Sequence, residues 1–190
     1  MPVKSYRKET KKTRPPVDPN RLPPQDIEAE QSVLGALLMD KDAIIKIADI
    51  ITAEDFYRKI HEMIFGAILH LYQKREPVDL LTVSSRLKEK NELKEIGGMA
   101  YLTSLVNSVP SSSHVAHYAK IVRQKKILRD LIAASYEIST LAWEEYRDID
   151  ELLDEAEKKI FGVSQTSLIQ EFQHIKPHLA EAFERFDRLH

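Results

Sequence analysis

The stretch YAKIVRQKKILRDLIAASYEIS, residues 118–139, decides the fold. It holds no glycine or proline, and its apolar residues Tyr118, Ile121, Val122, Leu128, Leu131, Ile132 and Ile138 recur at helical spacing, with Leu141 and Ala142 continuing the stripe. Any of Ser111, Ser112 and Ser113 can supply the N-cap. A helix from there to about residue 145 has some eight turns and is about 45 Å long. A head built from the roughly 85 residues before it is narrower than that, so part of the helix must protrude. The next segment supplies a mate. Asp148 can cap it, Glu151 stands three residues on as in a capping box, and Ile149, Leu152, Leu153, Ala156, Ile160 and Val163 form a matching stripe. A tight connection near Tyr146-Arg147 makes the pair an antiparallel hairpin.

A lone hairpin buries one side of each helix, and these stripes are wider than that. Leu131 beside Ile132, Leu152 beside Leu153, and Ile160 beside Phe161 leave apolar residues over. The surplus points to self-association, to a partner helix, or to both; the competing reading folds the hairpin entirely back onto the head. Tyr118, Ile121, Leu128, Ile132, Leu152, Leu153, Ile160 and Phe161 are expected to form the hairpin core and its interface.

Upstream, residues 26–110 read as a compact head of about five short helices. Asp26 can cap the first, with Glu28 and Glu30 at its positive end, and Val33, Leu34, Leu37 and Leu38 follow at helical spacing. Gly35 among them suggests a close helix contact. AIIKIADII (43–51) reads as a short helix with Ile44, Ile47 and Ile51 on one side, and Ile60, Ile64, Ala67, Ile68 and Leu71 form a wide stripe that ends before Pro77. Asp79 or Thr82 can cap LLTVSSRLKEKN, and Gly97-Gly98 separates it from MAYLTSLVN. No run alternates with period two for long enough to compete as a strand, so the chain is read as all-α.

The two ends differ in character. Residues 1–25 hold six of the nine prolines and seven Lys or Arg against Glu9 and Asp18, a basic tail with little to bury that is expected to stay disordered, either as a solubilising leader or as an arm for nucleic acid. The whole chain carries a net charge of -2, so the body is mildly acidic. Residues 165–190 read as a polar linker followed by an amphipathic helix opened by Pro177. Leu179, Phe183 and Phe186 lie on its apolar side and call for a groove supplied by another module or another chain. The domain order expected is thus a tail over 1–25, a head over 26–110, a hairpin over 111–164 and a linker with its helix over 165–190.

Chemistry is sparse. The chain has no cysteine, which excludes disulfides, thiolate metal sites and a cysteine nucleophile, and suits a reducing cytoplasm. Its longest apolar run, Val33 to Met39, is far short of the roughly 20 residues that a membrane helix needs, and no apolar segment follows the basic N-terminus as in a secretory signal. His61-Glu62 opens an H-E-x-x-H pattern that Phe65 breaks; His114 with His117 and His174 with His178 are pairs without a third ligand. No G-x-x-x-x-G-K-[ST] occurs. The carboxylates are dispersed and read as solvated surface. Arg123, Lys125, Lys126 and Arg129, with Lys120, make a basic cluster that spreads over more than one helix face, a candidate nucleic-acid contact set against ordinary solvated helix surface.

Four segments carry a resemblance: PPQDIEAEQSVLGALLMD (23–40), DFYRKIHEMIFGAILHLYQKREPVDLLTVSSRLKEKNEL (55–93), GGMAYLTSLVNSVPSS (97–112) and YAKIVRQKKILRDLIAASYEI (118–138). They closely resemble the N-terminal domain of bacterial replicative DNA helicases of the DnaB family, called DnaC in some bacteria, in register over about residues 22–163; residues 167–190 look like the family's linker helix. The resemblance implies a helical head plus hairpin serving as the collar of a hexameric, ring-shaped, ATP-driven helicase that travels 5′ to 3′ on single-stranded DNA at the cytoplasmic replication fork. It implies docking of the C-terminal helical domain of primase and, in some bacteria, of a helicase loader, with the linker helix packed on a neighbouring motor domain. ATP and Mg would belong to that motor domain, which should follow His190. This chain is therefore expected to have no catalytic residue, cofactor or metal of its own. His114 stands where the family commonly has Asn, and the basic tail before Arg21 is not a general family feature. The alternative reading is a stand-alone nucleic-acid-binding or loader-like adaptor that uses the tail and Arg123 to Arg129.

Overall fold

A computed structural model describes residues 22–109, 111–144 and 146–168. Six α-helices account for most of them: α1 (Ile27–Met39), α2 (Lys59–Gln73), α3 (Leu80–Glu89), α4 (Gly98–Ser108), α5 (Val115–Leu141) and α6 (Ile149–Leu168), with 3-10 turns at Ala43–Lys46, Ala53–Asp55 and Ser112–His114. No strand occurs among the described residues, and the all-α reading holds. None of these helices is long and apolar enough to cross a membrane.

Helix α1 is the axis of the head. Asp26 accepts a hydrogen bond from the Ala29 amide at 3.0 Å and so caps it. Eight of its thirteen residues are buried, because α2, α4 and α5 all pack on it. A helix that is apolar almost all round needs neighbours on every side. Gly35 marks the closest of those contacts. A Cβ there would sit 2.3 Å from the Leu105 carbonyl oxygen and 2.6 Å from Val109 Cγ2, so α1 and α4 touch backbone to backbone.

The segment expected as a second helix is a 3-10 turn followed by further turns. Consecutive β-branched residues lower helix propensity, and the Asp40 carboxylate takes the Asp42 amide into a local turn at 3.0 Å. Ile44, Ile47 and Ile51 are nonetheless buried together. Asp79 caps α3 by accepting from the amides of Leu81 and Thr82, both at 2.9 Å, while Thr82 Oγ1 accepts from the Asp79 amide at 3.0 Å. Gly97 and Gly98, at φ 96° and 71°, turn the chain from α3 into α4 through a conformation that other residues rarely adopt.

The first turns of α5 complete the head, since Val115, Ala119 and Val122 are fully enclosed in the core that α1, α2, α3 and α4 line. Further along, the helix leaves the head and, among the described residues, packs chiefly on α6, with Ala134 and Leu141 buried. It ends at Leu141 rather than near residue 145, where the amides of Trp143 and Glu144 turn to the Thr140 and Leu141 carbonyls and tighten the last turn. The preceding Ile138, Ser139 and Thr140 are weak helix formers. Asp148 accepts from the Asp150 amide at 2.8 Å at the start of α6, as its spacing predicts.

Replacing Gly35 sets a helix-propensity gain of about 1 kcal/mol against overpacking of about 1–3 kcal/mol. A backbone oxygen cannot swing away as a side chain can, so overpacking wins. Gly35→Ala should lower stability by about 1 kcal/mol in urea unfolding, and an unchanged midpoint would mean that α1 and α4 are farther apart than described.

The hydrogen bond from the Thr82 amide, helped by those from the Thr82 hydroxyl and the Leu81 amide, holds the Asp79 carboxyl below its ordinary value against the opposing effect of burial. A carboxyl depressed in the folded state stabilises above its unfolded pKa and loses that contribution as pH falls through the folded one. Asp79→Ala should therefore cost about 1 kcal/mol at neutral pH, and the cost should shrink as the parent is titrated below the ordinary carboxylate range.

Candidate interaction surface

Two buried carboxylates fix where the hairpin leaves the head. Asp55, 1% exposed, accepts from the Thr52 amide at 2.7 Å and from Arg123 Nη1 of α5 at 2.6 Å. Its backbone carbonyl accepts from Arg129 Nη2 at 2.6 Å, and Arg129 Nη1 donates to the Pro24 carbonyl at 3.0 Å. The Arg129 guanidinium lies 5.7 Å from the Tyr57 ring centroid. Two arginines of one helix thus grip the 53–55 turn and the strip of chain before α1.

The second carboxylate is Glu30 of α1. It accepts from the Tyr57 amide at 2.6 Å and meets His61 Nδ1 at 2.5 Å, while His61 Nε2 lies 2.7 Å from the Tyr101 hydroxyl. The reading of the carboxylates as solvated surface is wrong for these two residues. Asp55 stands three residues after Thr52, a capping spacing that was legible, but nothing local told that the cap would be buried under α5. Glu30 looked like an ordinary first-turn acid, and its burial follows from the neighbours that surround α1.

The basic cluster of α5 divides along the same lines. Arg123 is buried in its pair with Asp55, Arg129 is engaged as above, and Lys126 pairs with Asp130 one turn on. Lys125 is half-exposed. His114 and His117 are both exposed, and no group of three or more His, Cys, Asp or Glu that could hold a metal ion occurs among the described residues.

Of the eight residues expected in the hairpin core and interface, Tyr118 and Ile121 pack against the core of the head, and Leu152 is half-buried between α5 and α6. The other five, Leu128, Ile132, Leu153, Ile160 and Phe161, are 45–61% exposed, and Leu131 at 47% joins them. Lys159 of α6 reaches Glu137 of α5 at 2.8 Å, and Arg147 in the connection reaches Glu144 beside it and Glu155 of α6 at 3.0 Å each. Exposed pairs of this kind contribute about 0–1 kcal/mol each. The hairpin thus exposes six large apolar side chains along α5 and α6. Leu179, Phe183 and Phe186, with the basic tail, lie outside the described residues.

Comparison with known proteins gives one family. The family model described as the DnaB-like helicase N terminal domain matches residues 22–124. The replicative DNA helicase DnaB of Geobacillus stearothermophilus is 43% identical over 170 residues, covering 90% of this chain and 37% of its own length. The replicative DNA helicase DnaC of Bacillus subtilis is 42% identical over 171 residues, 90% of this chain and 38% of the relative. The chain thus spans less than two fifths of the curated relatives it matches. Among solved structures, the N-terminal domain of DnaB helicase from Mycobacterium tuberculosis superposes with a TM-score of 0.71 at 39% identity, covering 74% of this chain and 99% of that one. A DnaB-like replicative helicase described with its interactions with primase shares the fold at a TM-score of 0.61 and 24% identity, over 84% of this chain and 35% of that one.

Removing one partner of a buried ion pair strands the other charge. Arg123→Met should therefore lower stability by about 3 kcal/mol, whereas Lys125→Met should stay within about 0.5 kcal/mol. Equal, small effects in chemical denaturation would show that Arg123 is not the residue that neutralises Asp55.

Proposed function

Because the chain belongs to the family of DnaB-like helicase N-terminal domains, we propose that it is the collar module of a replicative DNA helicase, assembling with copies of itself through the hairpin and docking primase. The observation that carries this is the apolar face of the hairpin. Six large aliphatic or aromatic residues on α5 and α6, between 45% and 61% exposed, lie on a lever that the head does not cover. So many large apolar side chains left exposed on two adjacent helices point to an interaction site. In the proposed assembly, copies pair along this face to form a ring, hexameric in the whole protein. The motor of the whole helicase would bind ATP and Mg, hydrolyse the nucleotide and move on single-stranded DNA in the cytoplasm. The collar would set the spacing of the motors and present the helical domain of primase, or a loader, at the fork. No residue of the head or hairpin takes part in bond making. The module works by geometry: a rigid base, a hairpin of fixed direction, and an apolar strip.

The test is molar mass by light scattering, alone and with the C-terminal helical domain of the cognate primase. The expected result is an oligomer that gains mass with primase. Ile132→Asp places a charge on the exposed strip without touching the head core, so it should leave the helical circular dichroism unchanged and weaken assembly by about 100-fold or more. A folded mutant with the parent's mass would refute Ile132 as an interface residue, and a monomeric parent indifferent to primase would overturn the collar reading for this chain.

A further inference from the structure

We infer that the far end of the hairpin is a docking surface for the chain's own basic segment, residues 1–21. Residues 137–157 hold nine Asp or Glu and a single basic residue, Arg147. Arg147 is taken up by Glu144 and Glu155, and Glu137 by Lys159. Asp150, Asp154 and Glu157 remain exposed and recur at i, i+4 and i+7, so they line one ridge of α6. At the same end of the hairpin Tyr136, Trp143, Tyr146 and Ile149 are exposed by 66%, 79%, 92% and 66%. The ligand that fits has cationic heads for the carboxylates and aliphatic stems or rings for the aromatic surface. A phosphate backbone would be repelled from it.

The chain carries such a ligand in MPVKSYRKETKKTRPPVDPNR, with seven Lys or Arg against two acids and with Tyr6 among them. It is also tethered near its target. The bond from Arg129 Nη1 to the Pro24 carbonyl at 3.0 Å brings the start of the described chain to the middle of α5. Fourteen residues separate Arg129 from Trp143, about 21 Å along a helix, and 21 residues of chain can span up to roughly 70 Å. At that distance a tether supplies an effective concentration in the millimolar range. The charge along α5 sets the direction. Lys120, Lys125 and Lys126 near the head repel the segment, and the acidic tip attracts it. Leu128, Leu131 and Ile132 of the collar reading lie nearer the head on α5, whereas Leu153 of that reading falls within the acidic tip, so the two surfaces adjoin there. While the segment is bound, a basic partner reaches the tip only by displacing it.

Trp143 is the chain's sole tryptophan, so it reports on the tip without a label. The experiment is acrylamide quenching of its fluorescence in the 190-residue protein and in two full-length variants. One carries Lys4→Gln, Arg7→Gln, Lys8→Gln, Lys11→Gln and Lys12→Gln, and the other Asp154→Asn and Glu157→Gln. At about 20 mM salt, quenching should rise by about two-fold in both variants, and the difference should vanish near 0.5 M salt, where the Debye length falls to a few ångströms. Protection in the parent should not depend on protein concentration. Equal quenching in all three proteins at low salt would overturn the proposal. So would protection that survives neutralising the segment, or protection that grows with concentration, which would assign the tip to another copy. A rise on neutralising the segment alone would place the segment elsewhere and would equally refute it.

Discussion

The direction of the hairpin is set by the grip of Arg123 and Arg129 on the 53–55 turn. A long helix whose first turns merely rested on an apolar core could rotate or slide, because dispersion contacts between smooth aliphatic surfaces are individually weak and not directional. The guanidinium of Arg123 meeting the Asp55 carboxylate at 2.6 Å, with a second arginine two turns on bonded to the Asp55 carbonyl and to Pro24, removes that freedom. Charge-assisted hydrogen bonds depend steeply on angle and distance. Buried as they are, they also make the wrong helix register costly, since a displaced α5 would leave the Asp55 charge uncompensated. Glu30 does the same for the other wall of the head. It ties α1 to the amide of Tyr57 and to His61, and His61 to Tyr101 of α4.

These polar anchors explain a division of labour in α5. Its first turns are apolar toward the core and basic at the seam with the 53–55 turn, so they behave as part of the head. Among the described residues its later turns pack chiefly on α6, and Leu128, Leu131 and Ile132 are exposed. Two helices packed on each other bury too little to be stable alone, and the exposed ion pairs between them add little. The hairpin therefore borrows order from the head through the continuous backbone of α5. Stability of the free hairpin end depends on what covers it, and assembly through the apolar face would act as a binding linkage that raises that stability with concentration.

Most of the helical layout was legible, for identifiable reasons. Periodic apolar residues, caps at Asp26, Asp79 and Asp148, and glycines at 97 and 98 act locally, and local rules read them. Gly35 was legible as a close contact because a glycine amid a strong apolar pattern weakens the helix, a cost that close approach of a neighbouring backbone offsets. What could not be read was tertiary. The 43–51 segment has helical spacing but consecutive β-branched residues and a competing Asp40 turn, and the pattern alone does not weigh one against the other. The buried pairs Glu30–His61 and Asp55–Arg123 join residues 31 and 68 positions apart, and no spacing rule links them. Arg123 illustrates the cost of this. In the sequence it sits among lysines and looks like surface, and only the position of Asp55 turns it inward.

That inward turn bears on how charge is distributed over the whole molecule. With Arg123 and Arg129 committed to the head and Lys126 to Asp130, the basic half of α5 exposes less positive charge than its composition suggests. The distal half has the opposite excess, because one arginine and one lysine serve four pairings with Glu137, Glu144 and Glu155 while Asp150, Glu151, Asp154 and Glu157 stay in solvent. Such a surface would be poor for nucleic acid, since each unneutralised carboxylate opposes the phosphate backbone that dominates such binding. It is well suited to a basic ligand, and the exposed rings of Trp143 and Tyr146 at the same end can hold long cationic side chains by their stems as well as by their charges. The apolar strip and the acidic tip therefore ask for different occupants on one lever. An assembly through the apolar residues, as proposed, would be far less sensitive to salt than a contact at the acidic tip, because apolar burial is nearly indifferent to ionic strength and charge pairing is not.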